Sequence, residues 1–313
     1  MVRRVFLAVI AILVLAVVPA FAGDQVLRLG FMPAEDELPL YVAEKEGLFA
    51  KEGVKVELVT FASAVERDTA WRAGRVDGVN GDLIATILNA KGGYEPVILC
   101  MSLGATAKEG RFAIFAAPGG KVKTAVDLRN VEVAVSRNTI QDYVTDQLLQ
   151  DAGLKASEIK KVDVPKVPIR FQMLLQGQVQ AAALPDPLGA LAEHEGARLV
   201  ASDTEAKRNL SPIVYFFSRK TLKEKSDELA RFFRAYREAV NRINANPEKY
   251  RPLLIQVAKV PDQIKETYPM QKYPQPLLPT RSEWKEAVDW MLGEKLIDQN
   301  YRYEDYADGR FTR

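Results

Sequence analysis

Residues 26–60 read "VLRLGFMPAEDELPLYVAEKEGLFAKEGVKVELVT". The run from Val26 to Phe31 is strand-like and breaks at Pro33. A helix is predicted over about 39–50, because the residue before a proline is biased away from the helical region and Pro39 suits a first helical position. The next run, 54–60, alternates apolar with charged side chains through Val54, Val56 and Leu58, which predicts a strand. Strand, helix, strand in this space is a βαβ unit, and such units build parallel sheets covered by helices.

The alternation continues. A helix at 63–74 with Ser63 as N-cap leads to a strand at 76–80, a helix at 82–91 and a strand at 96–103. "GATAKEGR" (104–111) interrupts, and a second series starts. It has strands at 112–117 and 131–136, a helix at 139–152, a helix opened by Pro168 and stopped at Gly177, a strand at 179–184 and a helix at 187–195. Beyond 206 come a strand at 212–218 and a long amphipathic helix at 222–246, with Leu229, Phe232, Phe233, Tyr236, Val240 and Ile243 on one face. The rest reads as helical around the turn "YPQPLLP" (273–279), with Trp284, Val288, Met291 and Leu292 as the packing stripe of the last helix. The two series match internally. "AGRVDGVNGDL" (73–83) and "QGQVQAAALPDPL" (176–188) each run from a helix end through Gly, x, Val and a small strand to Asp and Leu. Each delivers a carboxylate, Asp82 or Asp186, at the C-terminal end of a strand, the edge where open α/β sheets bind ligands.

The N-terminus predicts export. Arg3 and Arg4 precede an apolar run from Val5 to Val18, and Ala20-Phe21-Ala22 is an A-x-A cleavage site, so 1–22 reads as a signal peptide cleaved after Ala22. No cysteine follows that site to take a lipid, so the expected location is the periplasm. Residues 1–22 carry two arginines and no acid, which leaves 41 basic against 41 acidic residues. A balance near zero argues against nucleic acid or an anionic membrane as the main partner. The single cysteine, Cys100, excludes an intramolecular disulfide.

"PLYVAEKEGLFAKEGVKVELV", "AWRAGRVDGVNGDL", "DAGL" and "QGQVQAAALPDPLGALA", in this order, resemble the substrate-binding proteins of ABC importers. The similar branch is the SsuA/THI5-like (NMT1-like) one, which serves sulfonates, nitrate, taurine and thiamine pyrimidine precursors. The resemblance runs from about 26 to 246. It implies an α/β fold of the periplasmic binding protein type II, two domains closing on a ligand about hinge crossovers. Domain I would comprise 23–105 plus 206–313 and domain II 106–205. The implied function is capture of a small solute and its delivery to permease subunits by a monomer with no cofactor, metal or catalytic residue. The alternative is an enzyme on the same fold, a THI5-like pyrimidine synthase or a chorismate dehydratase-like protein. Those act in the cytoplasm, against the signal peptide, and the cysteine-rich motif of the THI5 enzymes is missing.

Two opposed candidate clusters emerge. Glu35, Asp36 and Glu37 stand beside a helix N-terminus. They either cap it, each worth roughly 0.3–1 kcal/mol, or read a cationic or hydrogen-donating ligand group. Ser136, Arg137, Asn138 and Thr139 stand where a strand meets a helix, and offer hydroxyls, N–H groups and a guanidinium to an anion. The alternative is an N-cap with a solvated arginine. Asp186 between two prolines is a ligand contact or a cap, and Asn80 and Asp82 are similar, with Asp82 better suited to the N-cap. Phe31, Phe61 and Tyr215 near strand ends either wall a pocket or belong to the core. The acids favour an amine or amino-heterocycle, the 136–139 loop favours a sulfonate, and a taurine-like zwitterion satisfies both. His194, the one histidine, lies in a polar run and reads as solvated. No P-loop, G-x-S-x-G or G-x-G-x-x-G element is present.

Overall fold

The computed structural model describes residues 26–106 and 108–312. The signal-peptide assignment lies outside these residues. Strands β1 (Leu27–Phe31), β2 (Val56–Thr60), β3 (Gly78–Asp82) and β4 (Pro96–Leu103) enter one sheet. Strands β5 (Phe112–Ala116), β6 (Glu132–Val135), β7 (Lys160–Asp163), β8 (Ala181–Pro185) and β9 (Arg198–Ser202) form the second, and β10 (Ile213–Ser218) returns to the first. The orders are β2-β1-β3-β10-β4 and β7-β6-β8-β5-β9.

Each sheet is mixed rather than wholly parallel. Its one antiparallel strand is the strand that follows a crossing from the other sheet. β10 lies antiparallel between β3 and β4, and β5 lies antiparallel between β8 and β9. The two halves therefore share one topology, and the matched sequences at 73–83 and 176–188 supply its equivalent third strands, β3 and β8. The crossings run side by side. Gly104 has φ +75°, and a Cβ there would stand 2.4 Å from the carbonyl oxygen of Ser211. Asn209 Nδ2 donates to the Gly104 carbonyl at 2.6 Å. A glycine is required at this point for both reasons.

Helices cover both sheets: α1 (Leu38–Lys45), α2 (Leu48–Lys51), α3 (Ala64–Arg72), α4 (Leu83–Lys91), α5 (Ile140–Asp151), α6 (Val167–Leu175), α7 (Leu188–His194), α8 (Arg219–Glu224), α9 (Ser226–Ala245), α10 (Pro247–Val257), α11 (Arg281–Gly293) and α12 (Tyr303–Tyr306). None is long and apolar enough to cross a membrane among the described residues. The predicted helix over 39–50 is two, because Gly47 at φ +67° ends α1 and opens α2. The predicted helix over 222–246 also breaks, at Lys225, whose ammonium is held by Asp77 Oδ1 and the Val26 carbonyl, each at 2.8 Å.

The apolar stripe of α9 is fully buried, with Phe232 stacked on Phe49 at 5.6 Å and Tyr236 edge-on to Tyr215 at 5.5 Å. In α11 the inner face is Trp284, Ala287, Val288 and Met291, while Leu292, expected in that stripe, is exposed. It lies about 100° around the helix from Met291. The tail then pads the edge of the first sheet, with Met101 N–H donating to Leu277 O at 2.7 Å and Asp308 N–H to Ile98 O at 2.9 Å. Covering an edge strand in this way removes a template for pairing between chains.

The start of α11 is a capping box. Thr280 Oγ accepts from the Glu283 N–H at 3.2 Å, and Glu283 Oε2 accepts from the Thr280 N–H at 2.6 Å. Thr280→Ala is expected to cost about 1 kcal/mol, the usual worth of such a cap. A urea titration followed by circular dichroism measures it.

Candidate functional site: carboxylates buried between two sheets

Glu35, Asp36 and Glu37 form one 3-10 turn between β1 and α1, and none makes a side-chain cap to either helix. The three carboxylates turn inward and are 5 %, 7 % and 1 % exposed. Burial without a counter-charge is costly, so each must find donors or keep its proton. Asn80, in the middle of β3, donates through Nδ2 to Asp36 and to Glu37 Oε1, the latter at 2.6 Å. Its Oδ1 accepts from Ser102 Oγ at 3.0 Å, which fixes the amide. Tyr215 OH points at Glu37 Oε2 from 3.4 Å. Glu35 takes a bond from Tyr268 OH and a longer one, 3.4 Å, from Gln271 Nε2, and its carbonyl accepts from Tyr273 OH at 2.7 Å.

Two arginines attend the group. Arg67, 5 % exposed, donates from Nη1 to the Asn80 carbonyl at 2.8 Å and from Nε to Asp68 at 2.8 Å. Its Nη2 is buried without a partner. Asp82 caps α4 by accepting the Ala85 N–H at 2.8 Å, as its position suggested. In the second sheet, Arg111 grips Asp186 through Nε at 3.1 Å to both oxygens and through Nη2 at 2.9 Å. Arg111 also reaches Glu193 at 2.6 Å and stands over the Phe115 ring at 5.7 Å. The Ala190 N–H adds a bond to Asp186 at 3.0 Å. Gly110, next to Arg111, is the link across the gap. A Cβ there would lie 3.7 Å from Glu35 Oε1, and its N–H points to Gln271 Oε1 at 3.5 Å. Behind Asp186, Asp203 accepts from the Phe112 N–H at 3.0 Å and from Ser211 Oγ at 2.5 Å.

Burial pushes the Glu35 carboxyl up to about 8, aided by the facing Asp186 and opposed by Tyr268. Burial also raises Asp36 and Asp82 to about 6 and Asp203 to about 7. Glu37 is held well above the ordinary carboxylate range by burial and then by Asp36. For Asp186, burial outweighs the Arg111 guanidinium and the shift is again upward. The site holds protons where a solvated carboxylate would not. It can accept hydrogen bonds or exchange a proton for a cation.

The 136–139 loop is occupied differently. Thr139 caps α5, accepting from the Gln141 N–H at 3.2 Å, and its hydroxyl donates to Ser136 O at 2.7 Å. The Arg137 N–H goes to Asp163 Oδ1 at 3.0 Å, and the Asn138 N–H to Asp142 Oδ2 at 2.8 Å, with Asn138 left-handed at φ 59°. The Arg137 guanidinium meets Asp142 at 3.2 Å and Glu294 at 3.7 Å. The Arg137 and Asn138 N–H groups and the Arg137 guanidinium thus meet carboxylates of the protein, and the Thr139 hydroxyl meets a carbonyl. Phe31 is fully buried and edge-on to Tyr41 at 5.9 Å, half-buried Phe61 packs over Gly30, and Tyr215 is fully buried. Sequence reasoning missed Arg67, Ser102, Arg111, Tyr268, Gln271 and Tyr273. Arg111 closes the segment 104–111 and Tyr273 opens the turn 273–279, but these were read as a break and a turn, not as site residues.

Among the described residues no three His, Cys, Asp or Glu side chains are grouped to hold a metal ion. Cys100 is buried, and burial holds its thiol far above the range in which a thiolate forms.

A protein of Brachyspira hyodysenteriae, provisionally named an ABC transporter periplasmic binding protein, is 25% identical over 240 residues, 72% of this chain and 68% of its own. The alkanesulfonate-binding protein SsuA of Xanthomonas axonopodis pv. citri, solved with MOPS bound, superposes with a TM-score of 0.75 at 17% identity, over 91% of this chain and 98% of that one. The desulfurization enzyme DszB superposes with a TM-score of 0.70 at 14% identity, over 92% and 97%. These likenesses establish the two-domain periplasmic-binding-protein fold. The NMT1/THI5-like family model matches residues 35–250, the stretch that contains Glu35–Glu37, Asn80, Arg111, Asp186 and both crossings. The chain belongs to the NMT1/THI5-like family.

Proposed function

We propose that this protein is the solute receptor of an ABC-type importer. It captures a small organic solute between domain I (23–105 plus 206–313) and domain II (106–205) and hands it to membrane permease subunits, without chemistry. Export behind a signal peptide cleaved after Ala22 places it in the periplasm. The family, the Brachyspira relative and the SsuA structure support this reading. The observation that carries it is the convergence of buried carboxylates from both sheets, Glu35, Asp36 and Glu37 against Asp186. Such a surface suits a solute with an amine or amino-heterocycle. Of the candidate classes, an aminopyrimidine of the thiamine-precursor type or an aminosulfonate such as taurine fits, and a sulfonate without a nitrogen donor does not.

An enzyme on this fold is the second reading, favoured by the likeness to DszB. Against it stand an inert buried Cys100 and the one histidine of the sequence, His194, whose side chain is half exposed and meets Glu195 at 3.4 Å.

Mass spectrometry of small molecules released on denaturing the purified protein tests the assignment. The expected result is one amine-bearing compound, recovered unchanged after long incubation with refolded protein. Glu35→Gln and Asp36→Asn should weaken its binding by roughly ten- to a hundredfold, since each removes a charge-assisted hydrogen bond worth about 1.5–3 kcal/mol. Release of an oxyanion without a basic nitrogen, with affinity untouched in both variants, would overturn the amine reading. Recovery of a converted product would overturn the receptor reading.

A further inference from the structure

Helix α11 packs with the first sheet's helices through Trp284, Ala287, Val288 and Met291. A flank about 100° around from that face makes four further contacts, two to the crossing between β9 and β10 and two to domain II itself. Glu283 Oε1 accepts from Asn209 Nδ2 at 2.6 Å. Glu286 Oε2 meets Arg208 Nε at 3.1 Å. The Trp290 Nε1–H donates to Asp146 Oδ2 at 2.9 Å, and its ring stands edge-on to Tyr143 at 5.4 Å. Glu294, just past the helix end, faces Arg137 at 3.7 Å. Spacings of three, four and four put these residues along one side of the helix. Four polar or aromatic contacts on one side, two to domain II and two to the crossing whose Arg208 itself binds α5, are more than packing of a terminal helix needs.

Their partners are ordered too. Asn209 and Arg208 lie in the crossing between β9 and β10, and Arg208 also binds Asp151 at 2.9 Å and Gln147 at 2.6 Å near the C-terminal end of α5. Tyr143 and Asp146 follow near the middle of α5, and Arg137 lies ahead of it. The contacts thus start at the crossing and run outward for about 16 Å along the helix, at 1.5 Å per residue. The anchor is Trp290, 7 % exposed. Its acceptor, Asp146, is 3 % exposed and shares Lys161 with Asp142, at 2.6 Å from each. Lys161 balances that charge, so the indole N–H meets a fixed acceptor. None of the four α11 side chains bonds to Glu35, Asp36, Glu37 or Asp186.

We propose that α11 is an interdomain strap, and that Trp290 and Glu286 are positioning residues that hold domain II in the shut arrangement in which Asp186 faces Glu35. The strap acts through α5 and the crossing, without touching solute. A binding-competent fraction lowered by loosening the strap would reduce apparent affinity in proportion. This deepens the proposed receptor role. Its readouts need no solute, so failure to find one leaves the strap testable.

The test uses the full mature chain, dialysed free of solute, with Trp290→Phe, Trp290→Ala and Glu286→Gln. Trp290→Phe keeps an aromatic ring on Tyr143 and loses only the hydrogen bond. Hydrogen exchange and small-angle scattering are read on each. Loss of one such bond should speed exchange at the amides of Glu35, Asp36, Glu37 and Asp186 about two- to tenfold, with amides inside β1 and β6 unchanged. The radius of gyration should rise, most for Trp290→Ala and least for Glu286→Gln. Uniformly faster exchange in both strands and cleft, or none with an unchanged radius, would overturn the strap and leave α11 an ordinary stabilising helix. Should Trp290→Ala fail to fold, the other two variants decide the matter.

Discussion

Glu35→Gln is expected to stabilise the protein at pH 8 and leave it almost unchanged at pH 4. The folded chain keeps the Glu35 proton up to about pH 8, because the carboxyl is buried and faces Asp186. The unfolded chain releases it near 4.3. Between those values the folded state binds more protons, so stability falls as pH rises through the window. The contribution is complete below about pH 4 and is lost by about pH 8. At 1.36 kcal/mol per unit, the loss over the window is on the order of 5 kcal/mol. Glutamine keeps a group for Tyr268 and Gln271 to bond and removes the ionisation. Asp36, Asp82 and Asp203 add shorter windows ending at about 6, 6 and 7, so the wild-type profile should slope downward from pH 5. Denaturant titrations at pH 4, 6, 7 and 8 supply the curve. A difference between wild type and Glu35→Gln that stays constant with pH would mean that Glu35 is ionised throughout. The same proton bears on binding. A cationic solute seated against Glu35 replaces it, so amine affinity should rise with pH across this range.

Arg111→Ala is expected to lower stability by about 3–5 kcal/mol, the range for breaking a buried ion pair from one side. The Asp186 and Arg111 side chains are only 7% and 19% exposed, so water screens the pair little. Removing the guanidinium strips Asp186 of three contacts and leaves the carboxylate with the Ala190 N–H as its remaining donor. Arg111→Lys should restore only part of this, since an ammonium cannot reproduce the forked geometry. Asp186→Asn alone should cost less. Added to Arg111→Ala, it should recover at least about 1 kcal/mol, because it removes the uncompensated charge. Urea melts on the four variants and the parent provide the cycle. Strict additivity would place the energy of Arg111 in its contacts with Glu193 and Phe115 instead.

Much of the architecture was legible from local pattern. The alternation of period-2 and period-3.6 segments from 26 to 103, the α9 stripe from Leu229 to Ile243 and the caps Ser63 and Asp82 stand in the structure where they were expected. So does the correspondence between 73–83 and 176–188, now seen as β3 and β8 in equivalent places. These features depend on neighbours within one turn or one strand, and apolar periodicity reports which side of an element meets a core whatever that core is.

The site was legible only as a location. Glu35, Asp36 and Glu37 were evident as an unusual charge beside a helix start. Whether they cap the helix or turn inward depended on Asn80, Tyr215 and Tyr268, at 44, 178 and 233 residues' separation along the chain. The bonds of Arg137 and Asn138 to Asp142, Asp163 and Glu294 could not be read from spacing, since these partners lie up to 157 residues away. The antiparallel insertion of β10 and β5 likewise follows from where the chain crosses between sheets. Apolar burial is non-directional and can be read from a strand's own residues. A buried charge is satisfied by specific atoms at about 3 Å, and which atoms arrive there is decided only when distant segments pack together.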